Sequence, residues 1–146
     1  MSLQAQLIAK WMAVGFIHGV MNTDNMSLAG ETIDYGPCAF MDNYHPGKVF
    51  SSIDQMGRYA YGNQPIIAHW NLSCFASAIL SLISNNEKIA IEAATQTLNQ
   101  FPKLYENAWS SAFCSKIGLF NQQKDDSDLV KELLDCMSEN KADFTL

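Results

Sequence analysis

Residues 18–37, HGVMNTDNMSLAGETIDYGP, set a short hairpin into a chain that otherwise reads mostly as helix. Met26-Ser27-Leu28 and Thr32-Ile33 have the character of strands, with Ala29-Gly30 as a two-residue turn. Glycine supplies the positive φ that a tight hairpin turn demands. On that register residue 28 faces 31, 27 faces 32, 26 faces 33 and 25 faces 34. Opposed residues point to the same side of a hairpin, with Cβ atoms roughly 5 Å apart. Asn25 and Asp34 are therefore expected to converge. Two hard oxygen ligands at that separation suit Mg²⁺, which completes its shell with water and phosphate oxygens. The competing reading is an ordinary hairpin with solvated polar ends, and a longer turn would shift the register.

Helical periodicity surrounds this hairpin. Leu7, Ile8, Trp11, Met12, Gly15 and Phe16 recur at helical spacing and predict a helix over 4–16. Residues 38–68 are rich in Gly, Pro, Asn and Tyr and lack sustained periodicity. A stretch of that length is functional or holds short elements. Trp70, Leu72, Phe75, Ala78, Ile79 and Leu82 predict an apolar helix over 69–83. Asn86 is placed to cap a helix through about residue 98. Pro102 opens another that runs to about Ile117 and stops at Gly118. Asp126 or Ser127 caps a last one through about Ser138. The 146 residues suffice for one domain with its own core, divided as 18–37, the irregular 38–68 and the helical 69–140. Residues 1–3 read as a possible expression scar.

Charge narrows the partners. The net charge of −6 argues against nucleic acid. No apolar run is long enough to span a membrane, and no basic, cleavable leader is visible. Cys38, Cys74, Cys114 and Cys136 form no C-x-x-C pair, which leaves zinc and a disulfide framework unsupported. They read as buried thiols of a reducing compartment, and the expected location is cytoplasmic. Cations are few: Arg58 is the sole arginine. It is suited to a phosphate or to tying its loop to a carboxylate. His45 and His69 read as loop and helix-start residues. Tyr59, Tyr61 and Trp70 read as core before cleft. Asp125-Asp126-Ser127-Asp128 reads as a helix N-terminus favoured by the dipole.

The spacing of polar residues in 18–36 follows a kinase pattern. Protein kinases use H-R-D-x-x-x-x-N followed by D-F-G, in which the first Asp is the base and the Asn and second Asp hold magnesium. Here His18 begins the pattern, Asn25 follows seven residues later, and Asp34-Tyr35-Gly36 stands for Asp-Phe-Gly. Val20 occupies the place of the catalytic Asp and cannot accept a proton. The expected fold is mainly α, a kinase-like C-terminal lobe whose small β-hairpin carries the metal-binding residues.

HGVMNTDNMS, TIDYGPCAFMD and GRYAYGNQPIIAHWNL, which together cover roughly residues 15–75, resemble the selenoprotein O family, the YdiU-type protein adenylyltransferases. The resemblance implies transfer of AMP from ATP to hydroxyl side chains (Ser/Thr/Tyr) of proteins. It implies Asp24 as proton acceptor, Asn25 and Asp34 as ligands of Mg²⁺ or Mn²⁺, and Asp34 against the nucleotide phosphates. Without it, Asp24 reads as a loop cap bonded to its own turn. The family is much longer than this chain, so the chain is expected to be a fragment, lacking an N-terminal lobe and inactive alone. The other function class is a catalytically silent pseudokinase module that binds nucleotide or protein partners. A kinase with a displaced base is a minor third.

Overall fold

The computed structural model describes residues 1–121 and 123–146. The first helix, α1, spans Ser2–Ala13 and buries Gln4, Ala5, Ile8, Ala9, Trp11 and Met12. That stripe is the apolar face the periodicity called for. Residues 1–3 join the first turn of α1, Ala5 donating its N–H to the Met1 carbonyl at 3.0 Å. The helix ends earlier than expected because Gly15 takes a positive φ of 69°. A Cβ there would also lie 2.7 Å from the Phe144 ring, so the C-terminal end of the chain packs onto this turn.

After the turn, β1 (Phe16–Ile17) pairs antiparallel with β2 (Ala39–Phe40), Phe16 opposite Phe40 and Ile17 opposite Ala39. The predicted hairpin lies between them in reduced form. Its strands touch only at a bridge between Met26 and Thr32, one residue away from the expected register. The turn is longer than Ala29-Gly30. Gly30, at φ 74°, donates its N–H to the Ser27 carbonyl at 3.1 Å, so Ser27–Gly30 forms the turn. Side chains of α1 do the rest: Trp11 Nε1 donates to Thr32 Oγ1 at 2.9 Å, and Gln4 Nε2 donates to the Ser27 carbonyl. The surface near the start of α1 and the hairpin exposes Leu3, Leu28, Ile33, Tyr35 and Phe40.

The irregular segment does hold short elements. Besides β2 it contains a 3₁₀ turn at Tyr61–Asn63, which runs directly into α2 (Gln64–Ala78). This helix starts five residues before the expected 69, with Pro65 in its first turn, where a missing N–H costs nothing. His69 consequently sits inside the helix, stacked on Phe101 with its Nε2 on the Leu98 carbonyl at 3.1 Å. A four-residue helix, α3 (Leu80–Ile83), follows.

The C-terminal helices match the periodicity closely. Asn86 caps α4 (Glu87–Leu98) by accepting the Ile89 N–H. α5 (Phe101–Lys116) lies along α1 and ends before Gly118, at φ 81°. α6 (Asp126–Asn140) has Asp125 at its N-cap, not Asp126 or Ser127 as expected, with no side-chain cap bond, and places Asp126 and Asp128 in its first turn, beside the positive end of its dipole. Cys136 on α6 is exposed and Cys38 and Cys74 are half-buried, so only Cys114 is the buried thiol expected. No helix among the described residues is long and apolar enough to cross a membrane.

Tyr61 links the two halves of the core. It is 1% exposed, and its hydroxyl donates to the Met12 carbonyl at 2.6 Å. Burial pushes its pKa far above the ordinary tyrosine value, with Tyr44 and Tyr105 adding to the rise. A raised value means that folding favours the protonated phenol. Its stabilisation is complete below the unfolded value of about 10 and is lost as pH climbs from there towards the folded value. The thermal midpoint should therefore fall steadily above pH ~10. Tyr61→Phe should flatten that fall while costing about 1 kcal/mol at neutral pH through the lost hydrogen bond. An unchanged alkaline slope in the variant would assign the effect to other groups.

Candidate functional site

The loop between β1 and the hairpin is fixed at almost every residue of its first half. His18 is fully buried, its ring 5.4 Å from Trp11 and 6.4 Å from Phe16. Its backbone N–H donates to Gln64 Oε1 at 3.0 Å. Its Nε2 meets the Ile33 carbonyl at 2.8 Å, and its Nδ1 lies 3.4 Å from the Val20 N–H. A carbonyl can only accept, so Nε2 carries the proton and Nδ1 is the acceptor. Asn71 Nδ2 donates to the Met21 carbonyl at 2.9 Å. Gly19 turns the chain at φ 86°, in a space where a Cβ would meet Pro37 at 3.1 Å.

The second half of the loop presents oxygen atoms. Thr23–Asn25 forms a 3₁₀ turn closed by the Asn25 N–H on the Asn22 carbonyl. Asn25 Nδ2 donates to the Val20 carbonyl at 3.0 Å. That contact orients the amide, so Oδ1 faces away and is uncommitted. Asp24 is exposed, and among the described residues its carboxylate accepts no hydrogen bond. It is therefore not capping its own turn, the role that spacing alone favoured. Asp34 is also exposed, at φ 52°, a left-handed conformation that Asp tolerates better than most residues.

The ladder that was to carry Asn25 opposite Asp34 is not formed. Extended from Met26 opposite Thr32, it would put Asn25 opposite Ile33. What relates the two residues is the segment His18–Val20. The His18 ring holds Ile33, the residue before Asp34, and the Val20 carbonyl holds the Asn25 side chain. Among the described residues no three His, Cys, Asp or Glu side chains gather as a metal cage. Asn25 Oδ1 and the Asp34 carboxylate are hard oxygen donors, a chemistry that suits Mg²⁺ sharing its shell with phosphate and water better than a zinc-type ion.

Sequence reasoning missed Gln64 and Asn71. They stand seven residues apart on the buried face of α2, each with its side chain on the backbone of the 16–21 segment. A polar pair at helical spacing within an apolar helix is the signal that would have found them. The reading of Trp70 as core is also corrected. It is 48% exposed, and Arg58 lies over its ring at 4.7 Å. Tyr61, by contrast, is core as expected. His45 is a loop residue whose Nδ1 accepts the Gly47 N–H.

A family model described as Protein adenylyltransferase SelO matches residues 1–146. The chain is similar to proteins named Protein nucleotidyltransferase YdiU. That of Brevibacillus brevis is 59% identical over 142 residues, covering 97% of this chain and 29% of the relative. The protein of Pelagibacter ubique shows the same identity and coverage. That of Bradyrhizobium diazoefficiens is 55% identical over 143 residues, covering 98% of this chain and 29% of the relative. The chain thus spans less than a third of the length of these relatives.

Proposed function

The chain belongs to the SelO family of protein adenylyltransferases, and from that premise we propose that it forms the acidic, metal-binding side of an active site that transfers AMP from ATP to hydroxyl side chains of proteins. The observation that carries the reading is the Asp24-Asn25 pair. Its side chains offer uncommitted oxygens at the end of a loop whose start is locked by His18, Gln64 and Asn71. The order of helix, loop, Asp34-bearing hairpin and helices supports a kinase-like lower lobe, and the free thiols support a cytoplasmic setting.

Each group has a part in this chemistry. Asp24 takes the proton of an attacking Ser, Thr or Tyr hydroxyl. The oxygen bonds to the α-phosphorus, the bond to the β-phosphate oxygen breaks, and pyrophosphate leaves. Asn25 Oδ1 and the Asp34 carboxylate would hold Mg²⁺, or Mn²⁺ in its place. The metal's contribution is to neutralise phosphate charge during the transfer. Val20 removes the base that a kinase would use, so the proton must go to a different carboxylate, and Asp24 is exposed and free. Phosphate-binding cations are scarce in the chain and are to come from the rest of the full-length protein.

ATP labelled at the α-phosphate, set against ATP labelled at the γ-phosphate, is the test in the full-length protein. Protein should acquire the α label only. Incorporation of the γ label would make it a kinase with a displaced base. Nucleotide binding without incorporation of either would make it the silent module, a reading to which the relatives' names lend no support. The metal assignment has its own check. Asp34→Ala and Asn25→Ala should each weaken ATP binding roughly 10- to 100-fold when Mg²⁺ is present. With the metal chelated, calorimetric titration should find the variants and the parent alike. Equal affinity in magnesium would remove both residues from the metal site.

A further inference from the structure

We propose that Arg58, laid on the ring of Trp70, anchors a docking surface for the acceptor polypeptide and takes an acidic side chain lying near the hydroxyl to be modified. The inference rests on the adenylyltransferase reading and adds the substrate chemistry to it.

Arg58 is exposed, yet its position is defined. Its guanidinium carbon lies 4.7 Å from the Trp70 ring centre and 5.7 Å from that of Tyr59. Stacking of this kind holds the planar cation while leaving its N–H edge free. The nearest acid in the sequence on its N-terminal side, Asp54, is already committed. Its two oxygens accept the backbone N–H groups of Arg58 and Tyr59, both at 2.8 Å. The ion pairs among the described residues, Lys103 with Glu106 and Lys131 with Asp128, do not involve Arg58. Among the described residues, the guanidinium of the only arginine in a chain of net charge −6 is thus held on aromatic rings without a salt-bridged carboxylate.

Its location ties it to the transfer centre. The Tyr59 hydroxyl donates to Asn22 Oδ1, two residues before Asp24. Val20, Asn22, Ile53, Gln55, Met56, Arg58 and Tyr59 line one open pocket of about 450 Å³ together with Asp54, whose two oxygens are turned onto the backbone N–H groups of Arg58 and Tyr59. Ile53 and Met56 are 80% and 93% exposed on its rim. Apolar side chains beside an unpaired cation match a polypeptide, which brings both kinds of group. A nucleoside triphosphate would leave Ile53 and Met56 without a use. Asp24 and Asp34 repel an acid at the centre itself, so an acidic residue of the acceptor is drawn outwards to Arg58.

Because Arg58 is the sole arginine, its Nε–H gives a single assignable NMR signal. The ¹⁵N-labelled 146-residue chain is titrated with two short serine peptides, identical but for Glu in one where the other has Gln. The Glu peptide should shift the Arg58 signal and bind about 5- to 10-fold more tightly. Arg58→Ala should bring the affinity ratio to about one, and Trp70→Ala should reduce it by releasing the guanidinium. Equal binding of the two peptides to the parent chain overturns the proposal. So does an Arg58 signal that moves with ATP and Mg²⁺ but not with the Glu peptide, which would make Arg58 a phosphate ligand. The titration needs neither nucleotide nor transfer, so its failure is distinct from a failure of α-label incorporation.

Discussion

Asp24→Ala in the full-length protein should cut AMP transfer by about 10²- to 10⁴-fold, the usual contribution of a general base. Nucleotide binding should change little. The split follows from position. Asp24 adjoins Asn25 in the Thr23–Asn25 turn, so it would reach the same centre as the proposed metal ligand without being assigned to the metal. Its carboxylate is exposed and bonded to no described residue, so truncating it strands no buried partner. The fold should therefore survive, and the loss should fall on the chemical step. Asp24→Asn is the sharper variant, since it keeps shape and removes only the proton acceptor. Rates are read from transfer of α-labelled phosphate and binding from calorimetry with Mg²⁺ and ATP. Near-normal transfer by both variants would reduce Asp24 to a surface carboxylate. Loss of nucleotide binding in step with rate would instead make it a metal ligand.

How legible this site was depends on the kind of interaction that builds it. Residue spacing from His18 to Gly36 marked Asn25 and Asp34 as candidates, because motifs record chemistry at fixed separations, and the family resemblance added Asp24, which spacing alone read as a loop cap. It did not record how they are held. The hairpin register was read from a two-residue turn, whereas Gly30 bonds back to Ser27 and is crowded by Leu3 of a distant helix. Tertiary packing of that sort leaves no local trace. The helices over 87–98 and 101–116 were legible because Asn86, Pro102 and Gly118 are local signals that act on their own helix. The start of α2 was not, since Gln64 is buried on bonds to Phe16 and His18, nearly fifty residues earlier in the chain. Arg58 and Trp70 stand twelve residues apart, and no periodicity relates a loop cation to a helix ring.

Gln64→Ala should be among the most destabilising single changes in the chain, because one side chain satisfies two backbone groups on either side of the loop's origin. Gln64 is fully buried. Its Oε1 accepts the His18 N–H at 3.0 Å, and its Nε2 donates to the Phe16 carbonyl at 2.9 Å. Truncation leaves that N–H and that carbonyl without partners, at about 1–3 kcal/mol each. It also opens a cavity beside Met12, whose sulfur lies 3.6 Å from Nε2. The two unpaired groups alone come to about 2–6 kcal/mol, a large share of the ~5–15 kcal/mol that holds a domain of this size together. Gln64→Met separates the two causes. It fills most of the volume yet offers neither a strong donor nor an adequate acceptor, so it should still cost about 2–3 kcal/mol. Denaturant unfolding measures both variants, and parent-like stability of Gln64→Met would show that packing alone matters here. The functional consequence runs through His18. Once its backbone is released, the ring loses its fixed approach to Ile33, and Asp34 loses the anchor immediately before it. A full-length Gln64→Met protein that remains folded should therefore bind Mg²⁺-dependent nucleotide more weakly than its parent, although Gln64 itself is fully buried and has no exposed surface to offer the nucleotide.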